Sequence, residues 1–207
     1  MQDRWEINNS GLIASMAILQ SDQVYGIDLK MQEPDVNTVC EEWKNRGLAY
    51  EAENGFRLES SFEMSLLTIF DPDAYLCLHS LSSETELFNL YLHGETIVLV
   101  MKERDDDIYR IFWVPFITLA IGGLYDFFVR SAMVKNENGD ILCYIMMAKN
   151  RKEVSGSISR LNEVYTLSTE EQNDRTGSKE DVFAILHHFL VYAHSACMEG
   201  AMNDGNH

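Results

Sequence analysis

The residues best spaced for metal binding are His187, His194 and Cys197, near the end of the chain. On a helix, residues seven apart are two turns apart and share a flank, and Cys197 lies about one turn further. Imidazole and thiolate groups are common ligands of transition metals. However, Cys197 belongs to the apolar stripe of the same predicted helix, and no fourth ligand is evident. We therefore expect a structural role for these side chains and predict no metal.

A second possible cation site is the acidic run Asp105–Asp107, to which Glu103 adds another carboxylate. Calcium loops place their oxygen ligands at alternate positions and use a glycine at the sharp turn. A charged turn between two strands explains this run without a ligand. The sequence also contains no glycine-rich phosphate loop, no GxSxG motif and no cysteine in a nucleophile motif. We therefore predict no cofactor and no enzymatic activity.

Aromatic side chains are the best candidates for contacts with another protein, because Tyr and Trp are frequent among residues that dominate binding. Aromatic residues are concentrated between positions 109 and 128, and core packing accounts for most of them. A few of these rings are expected on an open face of the protein. The candidate partner-binding residues are Tyr91, Tyr109, Trp113, Tyr125 and Phe128.

The chain is strongly acidic, with 33 Asp and Glu against 16 Lys and Arg in 207 residues and a net charge of −17. Nucleic acids and anionic membranes would repel it, because binding to them depends on clustered Lys and Arg. A neutral or basic protein is a more compatible partner. The hydrophobic fraction of 46% is sufficient for a buried core.

Several features predict a cytoplasmic protein without a membrane-inserted segment. The first residues lack the basic and then apolar pattern of a signal peptide. The uncharged apolar run 111–125 contains Pro115 and a Gly-Gly pair, and it is shorter than the roughly 20 residues that a spanning helix needs. The cysteines lie far apart in apolar contexts, which favours reduced thiols over disulfides or zinc. They are Cys40, Cys77, Cys143 and Cys197.

The first third of the chain is predicted to be helical around a small hairpin. Gly47 is expected to end the second helix with a positive φ, and Asn54-Gly55 predicts a tight hairpin turn. The helices are expected at 9–21, 34–46 and 60–70, with hairpin strands at 48–50 and 56–58. This order resembles a winged helix, but the second helix has no net charge, so DNA binding is not expected.

From residue 74 the apolar period changes to two and predicts a sheet. Strands at 75–81, 86–92, 96–102 and 108–113 are joined by short turns and should form an antiparallel meander. The segment 97–101 is apolar on both faces and should lie mid-sheet. The remaining predictions are a helix at 115–128, strands at 129–135 and 141–147, helix or strand at 149–168, a polar loop at 169–177 and a helix at 178–198.

These elements predict a single α+β domain over residues 1–207, with possible subdomains at 9–72 and 73–200. Its N-terminal part is winged-helix-like, with helices and a hairpin. A mostly antiparallel central sheet follows, flanked by helices that include a long C-terminal one.

A set of anchor residues covers roughly residues 12 to 130. The anchors are the Leu12-to-Leu19 helix with Tyr25-Gly26 after it, Trp43-x-x-x-Gly47-Leu48, Gly55-x-x-Leu58, Leu66-x-x-Ile69 ending at Pro72, and Val114-Pro115-Phe116. This order resembles the EspG-type chaperones of type VII (ESX) secretion systems and related proteins of Gram-positive bacteria. The resemblance implies a cytosolic, non-enzymatic protein with a central sheet flanked by helices, which binds secreted helical heterodimers before export.

Two functional hypotheses are compatible with these observations. The first is a cytosolic adaptor or chaperone that covers the apolar surface of a small helical protein secreted by a type VII-like system. The alternative is an immunity protein that neutralises a toxin by binding it. The charge of −17 motivates this alternative, because a basic toxin would be attracted to the chain.

Overall fold

The computed structural model describes residues 4–30, 34–53, 55–80, 85–132, 142–148, 152–161, 164–169 and 174–204. Its first part consists of β1 (Arg4–Asn8), α1 (Asn9–Leu19), α2 (Val36–Asn45), β2 (Ala49–Ala52), β3 (Gly55–Leu58) and α3 (Ser60–Phe70). The three helices and the β2–β3 hairpin match the predicted order. Strand β1 was not predicted.

Local sequence explains how these helices begin and end. The Asn8 side chain caps α1 by accepting a hydrogen bond from the Gly11 N–H at 2.8 Å. The Glu59 carboxylate caps α3 by accepting from Phe62 N–H at 2.9 Å. Asn8 and Glu59 each stand directly before the predicted start of their helix, at residues 9 and 60. Gly47 follows α2 with a φ of +73°, which confirms the predicted stop.

The large sheet contains β1 and eight further strands. These are β4 (Ala74–Ser80), β5 (Thr85–His93), β6 (Thr96–Glu103), β7 (Ile108–Trp113), β8 (Leu142–Met147), β9 (Val154–Leu161), β10 (Val164–Thr169) and β11 (Arg175–Gly177). The strand order is β1-β7-β6-β5-β4-β8-β9-β10-β11, and every pair is antiparallel. The predicted meander and the interior position of 97–101 are confirmed.

Helices cover the sheet from both sides. Helices α1 to α3 pack on one face, where Val98 and Val100 contribute to the core. Helices α4 (Ile117–Ala132) and α5 (Lys179–Asp204) pack on the other face, against Leu99 and Met101. Because side chains alternate along a strand, a central strand in such a layer must be apolar throughout. The predicted α+β class is therefore confirmed.

Three predictions of local structure differ from the structure. The segment 129–132 continues α4 as a helix, so the predicted strand at 129–135 is wrong there, and 133–135 lie outside the described residues. Between 149 and 168 the described residues form β9 and β10, so the helical alternative is wrong. Part of the predicted loop at 169–177 forms β11. No helix of the described chain is long and apolar enough to cross a membrane.

Candidate partner-binding surface

The five aromatic residues predicted to bind a partner differ sharply in exposure. Tyr91 and Phe128 are 0% exposed and Tyr109 is 4% exposed, whereas Trp113 is 38% and Tyr125 45% exposed. Because Tyr91, Phe128 and Tyr109 are buried, almost none of their side-chain surface is available to contact a partner. Trp113 and Tyr125 retain such a surface, and their contact with a partner stays a prediction.

Tyr91 is buried because the segment between α1 and α2 crosses over it. Its hydroxyl donates to the Tyr25 carbonyl at 2.6 Å and accepts from Asn89 Nδ2 at 2.9 Å. The same amide nitrogen donates to the Gly26 carbonyl at 2.9 Å. Gly26 has a φ of +64°, and an added Cβ would lie 2.2 Å from Cys77 Sγ. Tyr91 therefore anchors this crossing segment, which is a structural role.

Trp113 and Tyr125 lie on opposite sides of the sheet. Trp113 pairs with Val98 across β6 and β7, and paired residues project to the same face. That face is the one covered by α1 to α3. Tyr125 lies on α4, on the other face, with its ring edge-on to Phe183 of α5 at 5.1 Å. The two exposed candidates therefore do not form one surface.

An exposed apolar surface is instead formed by Tyr125 and its neighbours on α4. Phe116, just before the helix, is 65% exposed and Leu119 is 54% exposed. Gly122 lies between Leu119 and Tyr125 along the helix. We call these four residues the α4 surface. Large exposed apolar side chains grouped on one element are typical of protein-binding sites.

The sequence contained the signal for this surface, although Tyr125 alone of its four residues was among the predicted ones. The run 111–125 carries no charged residue, so α4 is apolar nearly all round. Only one side of α4 packs into the core, through residues such as Ala120 and Leu124. The apolar residues on the opposite side are therefore left facing solvent.

Gly122 has no role in the packing of the described chain. Apart from its chain neighbours and the adjacent backbone of α4, a Cβ added there would have no atom of the described residues within 4 Å. Glycine inside a helix is less favourable than alanine by about 1 kcal/mol. The absence of a side chain leaves a gap between Leu119 and Tyr125, into which another chain could pack closely.

The predicted histidine and cysteine flank on α5 does not form a metal site. Cys197 is fully buried, and the His187 ring stacks on Phe183 with centroids 6.1 Å apart. No group of three His, Cys, Asp or Glu among the described residues could hold a metal ion.

The described cysteines also lack the setting of a nucleophile. Cys40, Cys77 and Cys197 are buried, and the Cys143 side chain lies outside the described ones. Burial raises the pKa of the Cys77 and Cys40 thiols. A reactive cysteine requires the opposite shift, because the thiolate is the nucleophile.

Comparisons with known proteins give a match in structure but not in sequence. Neither protein-family models nor curated protein sequences match this chain significantly. The structure is similar to the Mycobacterium tuberculosis type VII secretion system chaperone EspG5, solved in complex with the PE25–PPE41 dimer. The TM-score is 0.63 at 7% identity, over 94% of this chain and 96% of that one. The likeness establishes the fold alone: this chain has the fold of the EspG5 chaperone.

Proposed function

We propose that this protein is a cytosolic, non-enzymatic adaptor or chaperone that binds a helical substrate of a type VII-like secretion system. The observation that carries the proposal is the α4 surface, which exposes three large apolar side chains on α4 and directly before it. The shared fold also supports this proposal, because EspG5 was solved in complex with a PE25–PPE41 dimer. For this chain we infer a secreted helical protein as the partner.

The α4 surface suits an apolar and helical partner. Fully burying a large apolar side chain contributes about 1.5–3 kcal/mol, so covering the half-exposed Phe116, Leu119 and Tyr125 would contribute on the order of 1 kcal/mol each. Ridges of a partner helix pack into grooves between side chains three and four residues apart. The gap at Gly122 lets such a helix approach α4 closely.

The charge distribution also favours an apolar contact at this place. No charged residue occurs between positions 111 and 125, and Asp126 is the first after that run. Contacts of this kind are screened little by salt, whereas pairs of exposed charges are weakened at high ionic strength. The acidic residues elsewhere would steer the approach of a partner more than they strengthen its binding.

The test is a pull-down from host lysate with the tagged full chain, with mass spectrometry of the bound proteins at low and high salt. L119D places a charge on the α4 surface. M64D is the matched control, because Met64 is 48% exposed on α3, on the other side of the sheet. The melting temperature of each variant verifies that it is folded.

The proposal expects a small helical secreted protein that stays bound at high salt to the wild type and to M64D but is lost with L119D. Equal retention by L119D would show that the α4 surface is not the contact. Capture of a basic toxin that is released by salt would contradict the chaperone proposal and favour an immunity protein.

A further inference from the structure

A polar cavity of about 640 Å³ lies on the face of the sheet opposite to α4. It opens between the start of α1, the segment around residues 28–30 and the β6–β7 turn. Asn9 holds this segment in place: its Nδ2 donates to the Lys30 carbonyl at 2.9 Å, and its Oδ1 accepts from the Lys30 N–H at 3.2 Å. The size is within the range of ligand-binding pockets.

Tyr109 forms part of the cavity lining although the residue is only 4% exposed. Its hydroxyl has no hydrogen-bond partner among the described residues. Burial, together with the negative charges of Asp107, Glu86 and Asp28, raises the pKa of Tyr109 to about 12. Carboxylates from three separate segments therefore act on one hydroxyl, which belongs to a largely buried side chain and borders the cavity.

Two of the three cations that line the cavity are already engaged. The Lys102 Nζ lies 2.7 Å from Glu86 Oε2, and Arg104 donates to the Ser80 carbonyl at 2.8 Å. A bulge between Thr85 and Leu87 places Glu86 for its contact with Lys102. Lys30 is exposed at the rim.

Three carboxylates that line the cavity are not neutralised by an ion pair with a described residue. Asp28, Asp105 and Asp107 have no ion pair within the described chain. Asp106 differs, because it accepts from the Ile108 N–H at 3.1 Å and from Arg110 at 2.9 Å. In total, five carboxylates and three Lys or Arg side chains line the cavity, so its charge is negative.

We propose that this cavity binds an organic cation carrying a primary ammonium or guanidinium group. Such a group donates several hydrogen bonds, to the Tyr109 oxygen and to the Asp28 and Asp107 carboxylates, and charge-assisted bonds of this type are strong. A bare metal ion fits less well, because no three carboxylates of the described residues converge on one point. The cavity is separate from the α4 surface, so this proposal does not depend on the proposed function.

Binding to the full-length protein is measured by NMR titration at fixed ionic strength with four probes. Agmatine and spermidine represent free organic cations, and a blocked Gly-Arg-Gly peptide represents an arginine side chain of a protein. Inorganic phosphate is the probe of opposite charge, because the start of α1 and Lys30 could attract an anion. The variants are D28N/D107N and Y109F. E95Q is the matched control, since Glu95 is an exposed carboxylate in the turn at the other end of β5 and β6.

The proposal expects saturable binding of at least one cationic probe. D28N/D107N should weaken it about tenfold, and Y109F about three- to tenfold, as expected for the loss of one hydrogen bond. E95Q should bind as the wild type does. A site specific for the peptide would identify a protein side chain as the ligand, and equal binding of agmatine would identify a free cation. The proposal is overturned by the absence of saturable cation binding, by unchanged binding to D28N/D107N, or by binding of phosphate instead.

Discussion

Replacing Gly122 with alanine should stabilise the protein and weaken its binding to a partner. Apart from its chain neighbours and the adjacent backbone of α4, the added Cβ has no atom of the described residues within 4 Å, so no clash opposes it. Alanine is favoured over glycine inside a helix by about 1 kcal/mol. For a chain of this size, a gain of about 1 kcal/mol corresponds to a rise of about 2–4 °C in melting temperature. The free energy of unfolding is obtained from urea denaturation and the melting temperature from calorimetry.

Gly123 provides a matched control on the same helix. A Cβ there would lie 3.7 Å from Phe88 Cε2, an ordinary van der Waals distance, on the side of α4 that faces the sheet. G123A should therefore gain similar helix propensity without changing the exposed surface. Partner binding should weaken with G122A and stay unchanged with G123A. A less stable G122A would refute the packing argument, and equal partner binding by both variants would refute the role of the gap.

G26A should strongly destabilise the protein, because its Cβ would lie 2.2 Å from Cys77 Sγ and its φ of +64° disfavours a side chain; a urea midpoint equal to that of the wild type would contradict this. S178A removes the hydroxyl that accepts from the Asp181 N–H at 3.2 Å at the start of α5, and it should cost about 1 kcal/mol in urea denaturation. Tyr109 has a pKa of about 12 in the folded protein, against 10 for the unperturbed side chain. This difference contributes stability that is complete below pH 10 and is lost as the pH rises toward 12. The urea midpoint of the wild type should fall over this interval more steeply than that of Y109F.

Strands whose partners are close in sequence were predictable, and strands defined by distant partners were not. The β4–β7 meander follows from alternation and short turns. Strand β1 has only five residues, and it forms a strand because it pairs with β7, with Trp5 opposite Ile111. Similarly, β11 has three residues, which pair with β10. A pattern this short does not distinguish a strand from a loop without its partner.

The exposure of the candidate residues was less predictable than the fold. Tyr91 and Tyr109 alternate with apolar neighbours, which would place them outward if one face of the sheet were open. Helices cover both faces of the sheet at these strands. Side chains that alternate along a strand therefore point into two different cores, and neither set faces solvent. On α4 the difficulty is the opposite one. The first part of the helix is apolar nearly all round, so the sequence does not reveal that Leu119 faces solvent while Leu124 is buried.

The acidic charge motivated the immunity-protein alternative when only the sequence was considered, whereas the uncharged run 111–125 was considered only as a possible membrane span. The uncharged run supplies the α4 surface, whereas the unpaired carboxylates Asp28, Asp105 and Asp107 surround the cavity on the opposite face. A helical partner at α4 therefore meets no line of acidic residues on that helix, and a cationic group at the cavity meets carboxylates from several segments. The two features do not compete for one site, so an apolar partner and a cationic ligand can be bound by the same molecule.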